Sequence, residues 1–247
     1  MSSSGVITQL VTDALSMNAA QDWEDVSLFT PYLNDQALMY DFADCLAVQT
    51  FLRMTSLPFN VRQRPNVEFI SPDGVVPLLK INKTLITGFN AIVDFVHKKG
   101  VTLTSHLSET QVADMRANIS MIEHLLTTVE MFVLWKHDET YEKVTRARYG
   151  SVYHWPLSAV LPFMKRRKTM DEVGEQADKV FRALSAQLGT QKYLTGDLPT
   201  EADALLFGHM YTIITVRLPL TNITNILKKY SNLIEFTKRV EQQYFKQ

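Results

Sequence analysis

Up to Gly100 the apolar residues come in short runs separated by turn-forming residues. Beyond it they recur every three or four positions. The first rhythm belongs to strands alternating with helices, the second to helices alone. Ala37–Tyr40 is predicted as the first strand, with Asp41 capping a helix from Phe42 to about Thr55. Leu57 and Pro58 end that helix, and Phe59–Arg62 follows as a second strand. Strand, helix and strand in that order predict a right-handed parallel unit. Only residues 63–70 remain before the next turn, so a following helix is shortened or lost. Ser71-Pro72-Asp73-Gly74 is a turn, leading into a strand over Val75–Ile81 and a second over Thr84–Ile86 across Asn82-Lys83. The spacing of Phe89, Ile92, Val93 and Val96 is helical, Lys98 and Lys99 suit the negative end of that helix, and Gly100 stops it.

The second half predicts helices only. Ser108 and Gln111 form a capping box that opens a long helix ending near His137, roughly 40 Å at ~1.5 Å per residue. Thr169 with Glu172 opens another, stopped by Gly189, and Thr200 with Asp203 opens a third. Ser231 is predicted to cap the last helix, which carries Leu233, Phe236, Val240 and Tyr244. Before the first strand, Val6 to Leu15 has a short amphipathic pattern. It suits either a helix folded onto the domain or an arm that docks a partner. Trp23 and Phe29 anchor the connection that follows. The architecture is a small α/β domain followed by an all-helical one.

Composition narrows the setting. With 46% hydrophobic and 21% charged residues the chain has ample material for a core. Its net charge of −1 offers no global attraction to nucleic acid or anionic lipid. Cys45 is the only cysteine, so no disulfide forms within the chain and a reducing compartment is expected. The first twenty residues contain no Lys or Arg, unlike a secretory signal or an arginine-rich presequence. No apolar run approaches the ~20 residues that cross a bilayer.

Val76-Pro77 entering a hairpin that feeds a helix resembles the second half of the thioredoxin-like domain of glutathione transferases. The two-domain order matches that family over nearly the whole chain, and Thr200-Glu201-Ala202-Asp203 resembles its capped core helix. The resemblance implies a cis Pro77 whose neighbouring backbone holds the cysteine of glutathione. It also implies a hydroxyl or thiol after the first strand and a polar clamp for the glutamyl end. Neither is in place. Asp41-Phe42-Ala43-Asp44-Cys45 contains no serine, and Tyr40 reads as a packed strand residue. Gly88 and Phe89 stand where the clamp would be. Cys45 is the alternative nucleophile of a glutathione-dependent transferase or thiol transferase. A helix N-terminus would lower its pKa while Asp41 and Asp44 raise it, and the competing reading is a small buried hydrophobe. The six histidines show no metal-type spacing, His209 reads as a hydrogen-bonded core residue, and no cofactor or metal is expected.

The motifs that narrow the resemblance are Leu46–Leu52, Ser71–Pro77, Ala147–Ser151 with Trp155-Pro156-Leu157, Leu188–Gln191, Pro199–Leu205, Phe207-Gly208-His209 and Tyr230–Leu233. Together they are similar to those of the metaxin family. That resemblance implies a non-enzymatic peripheral subunit on the cytosolic face of the mitochondrial outer membrane. Its setting would be the sorting and assembly machinery for β-barrel precursors. The implied partners are a metaxin-1-like membrane-anchored protein, the barrel subunit, and possible links to motor adaptors through the Miro GTPase. The expected division is 1–35 as an N-terminal amphipathic segment, 36–100 as the thioredoxin-like domain and 101–247 as the helical domain. Residue chemistry nominates Tyr149, Tyr153 and Trp155, in a loop suited to plugging a cleft or anchoring an interface. It also nominates Lys165, Arg166, Arg167 and Lys168, which read as a solvated helix end or as a contact for anionic lipid or an acidic partner. Pro77, Thr200 and Asp203 are structural.

Overall fold

The structure, a computed structural model, describes residues 23–32, 37–65, 67–151, 153–168, 176–219 and 222–246. The amphipathic pattern at Val6–Leu15 and the box of Thr169 and Glu172 lie outside the described residues. A four-stranded sheet runs in the order β2-β1-β3-β4, from β1 (Ser27–Thr30), β2 (Asn60–Gln63), β3 (Leu78–Ile81) and β4 (Thr84–Thr87). β1 pairs parallel with β2, and antiparallel with β3 through Leu28 opposite Leu79; β3 and β4 form the expected hairpin.

The first strand is therefore not Ala37–Tyr40. That run instead leads into α1 (Met39–Met54), whose N-cap is Leu38, so Tyr40 and Asp41 lie in its first turn and Asp41 is not the cap. Four apolar residues carry no period that separates strand from helix, and Ala, Leu and Met are good helix formers. β1 escapes the pattern because Ser27, Leu28 and Thr30 are all buried, so inside and outside do not alternate. α2 (Val67–Ile70) is the shortened helix expected before the turn, and α3 (Phe89–Lys98) follows the hairpin. Asp73 ties the turn to the hairpin by accepting from the Ser71 hydroxyl at 2.8 Å, the Val75 N–H at 3.1 Å and the Thr87 hydroxyl at 2.7 Å. The Val76-Pro77 peptide is cis, and the Pro77 carbonyl accepts from the Gly88 N–H at 3.0 Å.

The long helix is present in three parts: α4 (Glu109–Met121), a π-helical turn (Ile122–Leu126) and α5 (Thr127–Trp135). Ser108 and Gln111 make the predicted capping box. Beyond lie α6 (Asp138–Thr140), a second π-helical turn (Tyr141–Thr145), α7 (Arg146–Gly150), α8 (Leu157–Lys168), α9 (Gln176–Leu188), α10 (Glu201–Thr215), α11 (Asn222–Leu227) and α12 (Ser231–Tyr244). The N-cap of α12 is Tyr230, so Ser231 opens the helix rather than capping it.

The two parts are joined by α1 and α10. A Cβ on Gly208 would lie 2.2 Å from the Ala43 carbonyl oxygen and 2.9 Å from the Ala47 nitrogen, so the two backbones touch only because the side chain is absent. Asp203 holds the start of α10. It accepts from the Thr200 N–H at 2.8 Å, the Thr200 hydroxyl at 2.7 Å and, from outside the helix, the Leu194 N–H at 2.8 Å.

Candidate functional site: a filled cleft and an exposed helix

The place where a thioredoxin-like fold offers its ligand site lies between the end of β1, the start of α1 and the backbone before Pro77. A cleft is present there, lined by Pro31, Leu38, Asp41, Val76, Arg148 and Tyr149 among others, but it leaves only about 40 Å³. A water needs about 30 Å³, and small-molecule sites run to roughly 300 Å³ and more. The helical part contributes Arg148 and Tyr149 to its lining. Tyr149, on α7, is half-buried with its ring 5.3 Å from that of buried Trp135 and 5.7 Å from that of Tyr153. Tyr153 in turn stands edge-on to Phe69 of α2, at 5.4 Å. Burial raises the phenol pKa of Tyr149 and of Tyr153, so both stay neutral and act by packing and hydrogen bonding.

The other positions considered from sequence are engaged in packing. Phe89 turns inward and packs edge-on against Phe51 at 6.2 Å, and the Thr87 hydroxyl before it is taken by Asp73. Tyr40 is partly buried against the core, and burial pushes its phenol well up. Cys45 is fully buried on α1, and its thiol is raised by burial first and then by the charges of Asp41 and Asp44. That is the reverse of an activated thiolate.

His209 is the buried, hydrogen-bonded histidine expected, with Nδ1 2.9 Å from Glu130 Oε1 and both side chains fully covered. Burial lowers its pKa, but the Glu130 charge and hydrogen bond outweigh this and leave it raised. Asp44 faces the same pair. It retains partial solvent access, yet burial, opposed by His209 and reinforced by Glu130 and Glu123, lifts it to about 7. Sequence reading missed this group, because its members sit on three helices far apart in the chain.

The nominated loop is part helix. Arg146–Gly150 forms α7, and only the connection beyond it is irregular, with a cis Trp155-Pro156 peptide. α7 and α8 pack closely at Gly150, where a Cβ would lie 2.9 Å from the Ser158 carbonyl oxygen and 3.8 Å from Pro162. Arg166 continues that inner face. It pairs with Asp138 and stacks on Tyr141 at 4.3 Å, so it is a structural cation and not part of a loose basic patch. Lys165, Arg167 and Lys168 share the end of α8 by sequence. Among the described residues, the opposite face of α8 exposes apolar side chains. Trp155, just before it, is 84% exposed, Phe163 63% and Met164 60%, with Leu157 and Val160 also exposed.

Fold and site together define a glutathione transferase-like chain whose cleft is small and has Phe69 and Tyr149 in its lining. A family model described as "Outer mitochondrial membrane transport complex protein" matches residues 45–167, and one described as "Glutathione S-transferase, C-terminal domain" matches residues 177–240. The chain is 90% identical to a metaxin-2 homolog of Caenorhabditis elegans, over 88% of this chain and 100% of the relative. To human metaxin-2 it is 40% identical, over 92% of each. Among solved structures, a glutathione S-transferase of Methylobacterium radiotolerans in complex with glutathione sulfonate superposes with a TM-score of 0.57. It is 13% identical, with 88% of this chain and 90% of that one covered, a likeness of fold alone. The chain belongs to the metaxin family. The first family match supports a role in the outer mitochondrial membrane transport complex.

Proposed function

We propose that this chain works by binding rather than by turnover, as a scaffold subunit on the cytosolic face of the mitochondrial outer membrane. The observation that carries this reading is the cleft beside cis-Pro77, reduced to about 40 Å³ with Tyr149 in its lining. The buried, pKa-raised Cys45 thiol and the inward Phe89 support it. In this reading the chain belongs to the sorting and assembly machinery for β-barrel precursors. It is held there by a metaxin-1-like membrane-anchored partner and the barrel subunit, and reaches motor adaptors through the Miro GTPase. No helix among the described residues is long and apolar enough to cross a membrane, which fits attachment through partners. Tyr149 and Tyr153 serve in this reading as filling, and Trp155 as an outward anchor.

Two measurements test it. Affinity purification of the tagged chain from detergent-solubilised mitochondria should recover a membrane-anchored metaxin and a β-barrel subunit. Calorimetry with millimolar glutathione should give no saturable heat. Micromolar glutathione binding, or recovery of the chain without outer-membrane proteins, would overturn the proposal.

A further inference from the structure

α8 and the residues before it carry two features that the filled cleft does not use. The first is an apolar face that is exposed among the described residues. Ser158, Pro162 and Arg166, four residues apart, turn toward α7, Asp138 and Tyr141. The 3.6-residue period then sends Leu157, Val160 and Met164 the other way, with Phe163 at their edge, and all four are exposed. Trp155, two residues before the helix, is exposed as well.

The second feature is charge. Residues 136–168 carry eight Lys and Arg against three Asp and Glu, in a chain whose net charge is −1. Those three acids are already matched: Asp138 by Arg166, Glu139 by Lys143 at 2.7 Å and Glu142 by Arg146 at 3.2 Å. By sequence, Lys165, Arg167 and Lys168 place three cations at the end of the helix that bears the apolar face.

From these features we infer that the outer face of α8, with Trp155, lies directly on an anionic lipid surface. A helix with Trp and Phe on one side and Lys and Arg at its end is built to sit in the headgroup plane. Each cation near such a surface adds attraction that fades with salt. A second copy of the chain does not fit the same face, because two cationic segments would meet. The inference deepens the outer-membrane reading above, adding a direct lipid contact to attachment through partners.

The test is flotation of the purified full chain with vesicles of phosphatidylcholine and phosphatidylinositol, against pure phosphatidylcholine. The chain should float with the first and far less with the second, and high salt should release it. Trp23 and Trp135 are buried, so a blue shift of emission on vesicle addition reports Trp155 and should vanish in Trp155→Phe. Phe163→Ser with Met164→Ser should weaken vesicle binding about tenfold or more. Lys165→Gln, Arg167→Gln and Lys168→Gln together should do the same. These apolar positions are exposed, and an unchanged melting temperature confirms that the fold is kept. Absence of flotation by the native chain, equal flotation with both vesicles, or variants that float unchanged would overturn the inference. If the native chain does not float, yet Phe163→Ser with Met164→Ser reduces co-purification of an outer-membrane protein, the face is a protein interface and the lipid inference fails. The affinity purification above reads complex membership separately.

Discussion

Tyr153 stands edge-on to Phe69, with ring centroids 5.4 Å apart and planes at 90°. Phe69 belongs to the short α2 beside the sheet, Tyr153 to the helical part, and the contact closes one rim of the cleft. From it a row of rings runs inward through Tyr149 and Trp135 to Tyr141, where Arg166 covers the last ring.

This row should be energetically coupled. A double-mutant cycle with Phe69→Ala and Tyr153→Ala is expected to give ~0.5–1.5 kcal/mol of interaction by denaturant unfolding. Tyr149→Ala, which removes contacts to both Trp135 and Tyr153, should cost about 2–3 kcal/mol. On the proposed reading it should still leave glutathione unbound in calorimetry.

Gly208 tests the seam between the two parts. Gly208→Ala forces a methyl group against the α1 backbone, and backbone cannot swing aside as a side chain would. A loss of roughly 1–3 kcal/mol is expected, or more if α10 shifts, seen as a lower Tm.

Cys45 should behave as a core residue. In the native protein its reaction with an aromatic disulfide reagent should be slower than in denaturant by about a hundredfold or more, because reaction requires opening of the core. Cys45→Ser should leave partner recovery unchanged.

Asp203 serves three donors at once, all buried. Asp203→Ala should destabilise the chain by about 3–5 kcal/mol, since it orphans the Thr200 and Leu194 amides. Asp203→Asn should cost less.

Stability should fall as pH rises from about 5 to 8. Asp44, at about 7, and Asp203, at about 6, hold protons more tightly folded than unfolded. The stability this provides is present below the ordinary carboxylate range and is lost as pH climbs through those values. The raised His209 acts in the same direction. Asp73 and Glu139 are lowered by hydrogen bonds and act oppositely, losing their contribution only as pH falls through their depressed values. Melting curves should show their highest Tm on the acid side of neutrality, and Asp44→Asn should flatten the decline.

Several readings that depended on residues close in sequence carried through to the structure. The Ser71–Gly74 turn, the hairpin across Asn82-Lys83, the capping boxes at Ser108 and Thr200, and the helix stop at Gly189 all rest on local backbone chemistry. The cis Pro77 also appears, though it came from family resemblance. Errors fell where local signals are weak. A buried four-residue strand and a helix start made of apolar residues look alike, so β1 was misplaced onto the entry to α1. Ser231 has the chemistry of a cap, but a cap is defined by backbone geometry, and that geometry belongs to Tyr230.

The sequence by itself determined the class of fold, the order of the two parts, and the lack of a glutathione clamp at Gly88 and Phe89. The first two follow from periodicity and turn chemistry, and the third is what the resemblance to glutathione transferases implies for those positions. Only the tertiary structure decided that Tyr149 reaches the cleft while Trp155, six residues on, faces outward. Tertiary packing also brought Asp44 to Glu130 and His209, and removed Arg166 from the basic run by pairing it with Asp138. Each of these depends on which helix faces are covered by distant segments, and burial of that kind is a property of the packed molecule, not of any local stretch.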